Sequence, residues 1–260
     1  MPCLKTPPAR PAVLGHRGAS AEAPENTLCA FRLAMEQGAD GVELDVWRCA
    51  SGEVVVFHDL DARRIAGVPL RLPDTPLRAL RELDAGAWKG DRFRGERIPL
   101  LEEVLEALPS ARVNVELKAR GRDRRLAGAA GAVIRRARAA GRVIVSSFDP
   151  GLLAAFRGAA PEVACGVLLE RRPAWPLRAA VAIRRLRPEA IHPERSLATA
   201  ARVRGWRAQG LLVNVWTVDE PAEVARLAAL GVDGLITNAP GEVRRVLTRA
   251  PGDLRRPRAQ

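Results

Sequence analysis

His16, Glu43, Asp45, His58 and Glu116 are the residues of this chain with the clearest capacity for acid–base and metal chemistry. They stand in the segments LGHRGASAEAPENT, DGVELDVW, VVVFHD and VNVELK, each an apolar run ending in charge. Such a run reads as a strand that delivers functional groups to the rim of a barrel. Glu43 and Asp45 are two apart on one predicted strand, so both side chains share a face. Two carboxylates side by side in an apolar interior repel, and each is costly to bury unpaired; a cation relieves both penalties. Glu116 lies on the next predicted strand, and neighbouring strands run about 4.8 Å apart, so it can join the same cation. Three oxygen ligands without a cysteine cluster suit a hard ion, Mg²⁺ or Ca²⁺, rather than Zn²⁺. A salt-bridge network with arginines would satisfy the same acids. The histidines favour the site: two of the chain's three, both predicted at one mouth beside the acids, form a candidate general acid/base pair.

Other residues fit around this group. Arg17 follows His16 directly and Lys118 follows Glu116 by two; both are suited to holding phosphate oxygens, arginine in bidentate fashion. GHRGAS lacks the spacing of a phosphate-binding P-loop or dinucleotide fingerprint, which argues against nucleotide hydrolysis and hydride transfer. Asp59 is a candidate partner for an imidazole, or a plain loop acid. Asn26 and Thr27 precede the first predicted helix as caps, with a site role open for Glu25 or Asn26. Trp216 ends the strand VNVW, where it could pack on the carbon skeleton of a substrate or fill the rim. His192 also ends a predicted strand but lacks an acid pair beside it, and is read as core or rim.

The elements that must position these residues alternate. Strands are predicted at 12–15, 42–46, 113–117, 143–147, 163–168, 190–192, 212–216 and 234–237. Helices are predicted at 27–37, 100–108, 124–140, 151–158, 176–187, 197–209, 221–230 and 241–249. Asp149 and Asp219 read as helix start signals, and Gly38, Gly141, Gly210 and Gly231 as helix ends. This alternation implies a parallel sheet with helical crossovers, and eight such pairs close an α/β barrel of the TIM type. A ninth strand, 54–57, is too near the second for a parallel crossover, which needs roughly a dozen residues. It therefore turns back as an antiparallel hairpin and returns His58 to the mouth. Residues 59–99 then form a loop-rich cap, so that the insertion spans about 54–99 within one domain at 1–249. Residues 250–260 read as a frayed tail.

Bulk composition agrees. The 260 residues suit one barrel of about 250, and no apolar stretch reaches the ~18 residues needed to cross a bilayer. The N-terminal residues lack a long apolar region, which predicts a cytoplasmic protein without a transmembrane segment. Cys3, Cys29, Cys49 and Cys165 are scattered, without a CxxC pair, and read as reduced, small apolar residues. The formal charge is +12, and all but three of the 42 basic residues are arginine. They sit in helix-like Ala/Arg stretches such as 120–125, 135–138 and 184–187. Aromatic content is 4% with no tyrosine, so a base-stacking surface is poorly supported and no nucleic-acid partner is expected.

Taken together, LGHRGASAEAPENTLCAF, GADGVELDVWRCASGEVVVFHD, IPLLEEVL, VNVELK, VSSFDP, VNVWTVD and GVDGLITNAP resemble the glycerophosphodiester phosphodiesterase family over about residues 13–240. The resemblance implies an α/β barrel with an insertion after the second barrel strand. It implies hydrolysis of small glycerophosphodiesters, the deacylated phospholipids, to sn-glycerol 3-phosphate and an alcohol. It further implies that His16 and His58 act as acid and base and that Glu43, Asp45 and Glu116 bind a divalent metal. Arg17 and Lys118 would contact phosphate. One stretch departs from the family pattern: after the HD pair the usual RTT-like run is replaced by the compact HDLDARRIAGVPL. A barrel phospholipase acting on intact lipids and a basic nucleic-acid-binding protein are the competing readings.

Overall fold

This computed structural model describes residues 10–118, 124–171, 181 and 183–248. Cys3, the 119–123 portion of the arginine-rich run, part of the helix expected at 176–187, and the tail at 250–260 lie outside them. Nine strands are described: β1 (Ala12–His16), β2 (Gly41–Arg48), β3 (Val54–Val56), β4 (Arg112–Leu117), β5 (Val143–Ser147), β6 (Ala164–Leu169), β7 (Ala190–Pro193), β8 (Leu212–Val215) and β9 (Gly234–Thr237). Eight of them pair in parallel, and β1 pairs with both β9 and β2, which closes the sheet into a barrel. Helices connect the strands on the outside, as expected for a (β/α)₈ barrel. β3 is the exception and pairs antiparallel with the end of β2, Val46 opposite Val56.

The strand sequences explain this closure. On β2, Val42, Leu44 and Val46 point outward and are fully buried under the helical layer, while Glu43 and Asp45 point inward. Helix Leu28–Glu36 packs Ala30, Phe31 and Ala34 inward at helical spacing. Thr27 caps it, accepting a hydrogen bond from the Ala30 N–H. Truncating a core residue such as Leu44 to Ala would cost about 2–5 kcal/mol.

The residues after β3 are more ordered than a loop-rich cap implies. Short helices Arg63–Ala66 and Leu77–Leu80 and three 3₁₀ turns wrap a second apolar cluster that includes Trp47, Phe57, Ile65, Leu72, Leu80 and Ile98. The helix expected to reach residue 140 ends at Arg136. Its terminus closes through Arg138 at φ 52°, with the Ala139 N–H donating to the Ile134 carbonyl, so Gly141 is not the cap. Gly38, Gly210 and Gly231 do take positive φ after their helices. No described helix is long and apolar enough to cross a membrane.

Candidate active site

β1, β2, β4 and the β2–β3 hairpin bring His16, Glu43, Asp45, His58 and Glu116 to one end of the barrel. The register sets Glu43 beside His16 and Asp45 beside Glu116. The hairpin returns through the Phe57 N–H, which donates to the Asp45 carbonyl at 2.9 Å, and leaves His58 at the mouth. The Trp47 indole N–H fixes the His58 carbonyl at 3.2 Å. His16, Arg17, Glu43, His58, Glu116, Lys118 and Trp216 all line one cavity of about 180 Å³. Phe148 joins them, and its ring meets Trp216 edge to face with centroids 5.7 Å apart.

Glu43, Asp45 and Glu116 are buried, and each offers a carboxylate oxygen within 4.8 Å of the others'. Their titration reflects the crowding. Burial, then repulsion from Asp45 and Glu116, pushes Glu43 well above the usual carboxylate range. Burial raises Glu116 to about 7, despite Lys118 beside it. Asp45 is the exception: burial opposes its charge, but Lys118 and Arg17 outweigh burial and hold it well below the usual range. Lys118 Nζ lies 3.1 Å from Asp45 Oδ1 and 2.7 Å from Glu116 Oε1. Arg17 Nε lies 3.3 Å from Asp45 Oδ2. Three acids thus face two cations, and the hard oxygen donors that remain are of the type a divalent metal takes. The ion-pair network and the metal cluster, separate alternatives in the sequence, share Asp45 and Glu116.

The loop after β1 is built to hold these contacts. Arg17 sits at φ 57° and Asn26 at φ 58°, backbone conformations that non-glycine residues adopt rarely and that concentrate at functional sites. The Arg17 N–H donates to the Glu43 carbonyl and to Glu43 Oε2, at 2.9 and 3.1 Å. Gly18 is required next: at φ 88° a Cβ would fall 2.6 Å from the Ala30 carbonyl carbon. Asn26 does not cap the helix. Its Nδ2 donates to Asp45 Oδ2 at 2.9 Å, while Glu25 accepts from Arg17 Nη1 at 2.8 Å.

Each cavity histidine has a partner behind it. His58 Nδ1 lies 2.6 Å from Asp59 Oδ1, an acceptor, so in the neutral ring Nδ1 carries the proton and Nε2 the lone pair. His16 Nδ1 lies 2.7 Å from Asn238 Oδ1. The amide orientation is fixed by Asp219, which only accepts: Asn238 Nδ2 donates to Asp219 Oδ2 at 2.6 Å. Nδ1 of His16 is therefore the donor, and its Nε2 lone pair lies 3.9 Å from Glu43 Oε2. Burial lowers the affinity of both rings for a second proton; Arg17 adds to this at His16, and Lys118 and Arg17 at His58, where Asp45 and Asp59 act the other way. His192 stands apart. It is fully buried, burial drives its pKa down to about 3, and it is outside the cavity lining. The Trp216 indole donates to its carbonyl at 2.8 Å.

Asn238 and Asp219 do not stand out as site residues in the sequence. Asp219 reads as a helix start there, but the helix at Pro221–Ala229 begins after Glu220, without a side-chain cap. Asp219 instead accepts from Thr237 Oγ1, from the Asn238 N–H and from Asn238 Nδ2. The one sequence signal is the position of Asn238, directly after β9 at the functional end of the barrel.

Known proteins resemble this chain in sequence and in fold. Residues 16–242 match the Glycerophosphoryl diester phosphodiesterase family. A glycerophosphodiester phosphodiesterase of Caldanaerobacter subterraneus subsp. tengcongensis is 36% identical over 235 residues, covering 88% of this chain and 94% of the relative. A phosphodiesterase of Oleispira antarctica, solved in complex with the product sn-glycerol-3-phosphate, superposes with a TM-score of 0.83 at 30% identity, over 92% of this chain and 98% of that one. A glycerophosphodiester phosphodiesterase structure from Thermotoga maritima gives 0.75 at 30% identity, over 92% and 99%.

Proposed function

Because the chain belongs to the glycerophosphoryl diester phosphodiesterase family, we propose that it hydrolyses glycerophosphodiesters to sn-glycerol 3-phosphate and an alcohol, with His16 and His58 as base and acid. The observation that carries this reading is one cavity lined by two imidazoles, His16 and His58, and by Glu43 and Glu116, two members of a buried three-carboxylate cluster with Asp45.

Glu43, Asp45 and Glu116 are the residues that would hold a divalent metal, Mg²⁺ or Ca²⁺. When bound, that ion would supply Lewis-acid polarisation of a phosphoryl oxygen. The chain's own residues do the rest. Arg17 and Lys118 offset charge that grows on the non-bridging oxygens. The carbon skeleton of the substrate packs against Trp216 and Phe148. His16, with an amide behind Nδ1 and Arg17 beside it, is suited to take a proton at Nε2 from the attacking oxygen. His58, with a carboxylate behind Nδ1, is suited to carry the second proton and pass it to the departing alkoxide. A bound phosphodiester strengthens that state, since negative charge beside an imidazole favours its protonated form.

The test is release of glycerol 3-phosphate from glycerophosphocholine, glycerophosphoethanolamine and glycerophosphoglycerol, with and without EDTA and with Mg²⁺ or Ca²⁺ restored. The expected result is metal-dependent release from at least one of them. No release under any metal would overturn the reading.

A further inference from the structure

The inserted segment brings a cation to the edge of the site that the mechanism above leaves without a part. Arg64, in the short helix Arg63–Ala66, reaches two carboxylates at once. Its Nε donates to Asp59 Oδ2 at 2.7 Å, and Nη1 and Nη2 donate to the two oxygens of Glu25, both at 2.8 Å. Each acid is itself the partner of a cavity residue. The other oxygen of Asp59 holds His58 Nδ1, and Glu25 Oε1 also accepts from Arg17. One guanidinium therefore backs a proposed proton carrier and a proposed phosphate contact that arrive on different loops.

We propose that Arg64 is a positioning residue for phosphodiester hydrolysis, fixing Asp59 behind His58 and Glu25 behind Arg17. The inference rests on the phosphodiesterase reading. Its physical basis is the freedom of the acids. Asp59 follows the hairpin return, and its side chain is about one-quarter exposed, so with His58 as sole partner it could turn toward water. A rigid planar fork holds both carboxylates in fixed directions; an ammonium on a flexible stem would neutralise them without fixing either. The Arg64 guanidinium carbon also lies over the Trp88 ring, 5.9 Å from its centroid.

The two arms act on different kinetic constants. Loss of the Asp59 arm impairs proton transfer by His58 and lowers kcat; loss of the Glu25 arm loosens Arg17 and raises KM. Arg64→Met is expected to lower kcat about tenfold and raise KM several-fold while the thermal midpoint shows a folded protein, and the neighbouring Arg63→Met to match the wild type. In an Asp59→Asn background Arg64→Met should cost little further kcat, and in Glu25→Gln little further KM, because those arms are already gone. Arg64→Lys should remain well below wild-type kcat. If the Met variant does not fold, the Lys variant and Arg64→Gln carry the measurement. Wild-type kcat and KM in a folded Arg64 variant, or additive losses in both cycles, would overturn the role. The wild type in the same assay separates the two readings: absence of product from it removes the phosphodiesterase reading, whereas an active wild type equalled by the Arg64 variants removes only this one.

Discussion

His16 and His58 line the same cavity but are backed by opposite chemistry. Behind His16 stands a neutral amide, Asn238, locked in orientation by Asp219, and the ring is pressed by Arg17. Behind His58 stands a carboxylate, Asp59, at the foot of the inserted segment. Both acceptors fix the same tautomer; the carboxylate adds a full negative charge that favours the imidazolium, against the burial that lowers both rings' affinity for a second proton. On the mechanism proposed above, these two residues of one type, lining one cavity, take opposite directions of proton transfer. The difference lies in what backs each ring, not in the ring.

The largest expected effect is on the rings themselves. His16→Ala and His58→Ala should each lower kcat on a natural glycerophosphodiester by roughly 10²–10⁴-fold with the fold retained, checked by steady-state kinetics beside circular dichroism. Near-normal turnover in either would break the pairing. The backing groups should matter less. Asn238→Ala and Asp59→Asn are each expected to cost about 10- to 100-fold in kcat, and equal responses of both to pH would blur the distinction between the two rings.

His192 gives the smallest effect and serves as a reference, a histidine buried without an acid partner among the described residues. Its folded value is about 3 against an ordinary 6.5. The unfolded chain therefore binds a proton below pH 6.5 that the folded chain refuses, so stability falls as the pH drops from 6.5 toward 3, by up to about 1.4 kcal/mol per unit. Urea midpoints of a folded His192→Gln variant should decline less steeply across that window; an unchanged slope would show that other groups set the acid limb.

Much of the barrel and its acid cluster is legible in the sequence. The hairpin follows because the residues between β2 and β3 are too few for a parallel crossover, and the inward acids follow because side chains alternate along a strand. The groups behind the rings are not legible in the same way. Asp219 has the sequence context of a helix start, and its partners Thr237 and Asn238 become neighbours only when β1, β8 and β9 close the barrel. An equally ordinary capping role hides Asn26. Arg64 is one of two consecutive arginines in a chain rich in them, and nothing local separates it from Arg63. Periodicity places side chains on contiguous apolar runs, whereas polar partners joined across loops carry no such signal.

The most direct test of the division of labour is leaving-group dependence. Wild type, His16→Ala and His58→Ala would be compared on a glycerol-3-phosphoryl choline ester and on the corresponding p-nitrophenyl ester, whose leaving group departs without protonation. With His58 as the acid, His58→Ala recovers most of its lost rate on the p-nitrophenyl ester, while His16→Ala stays impaired on both. Recovery in His16→Ala instead, or in neither variant, would contradict this division of roles.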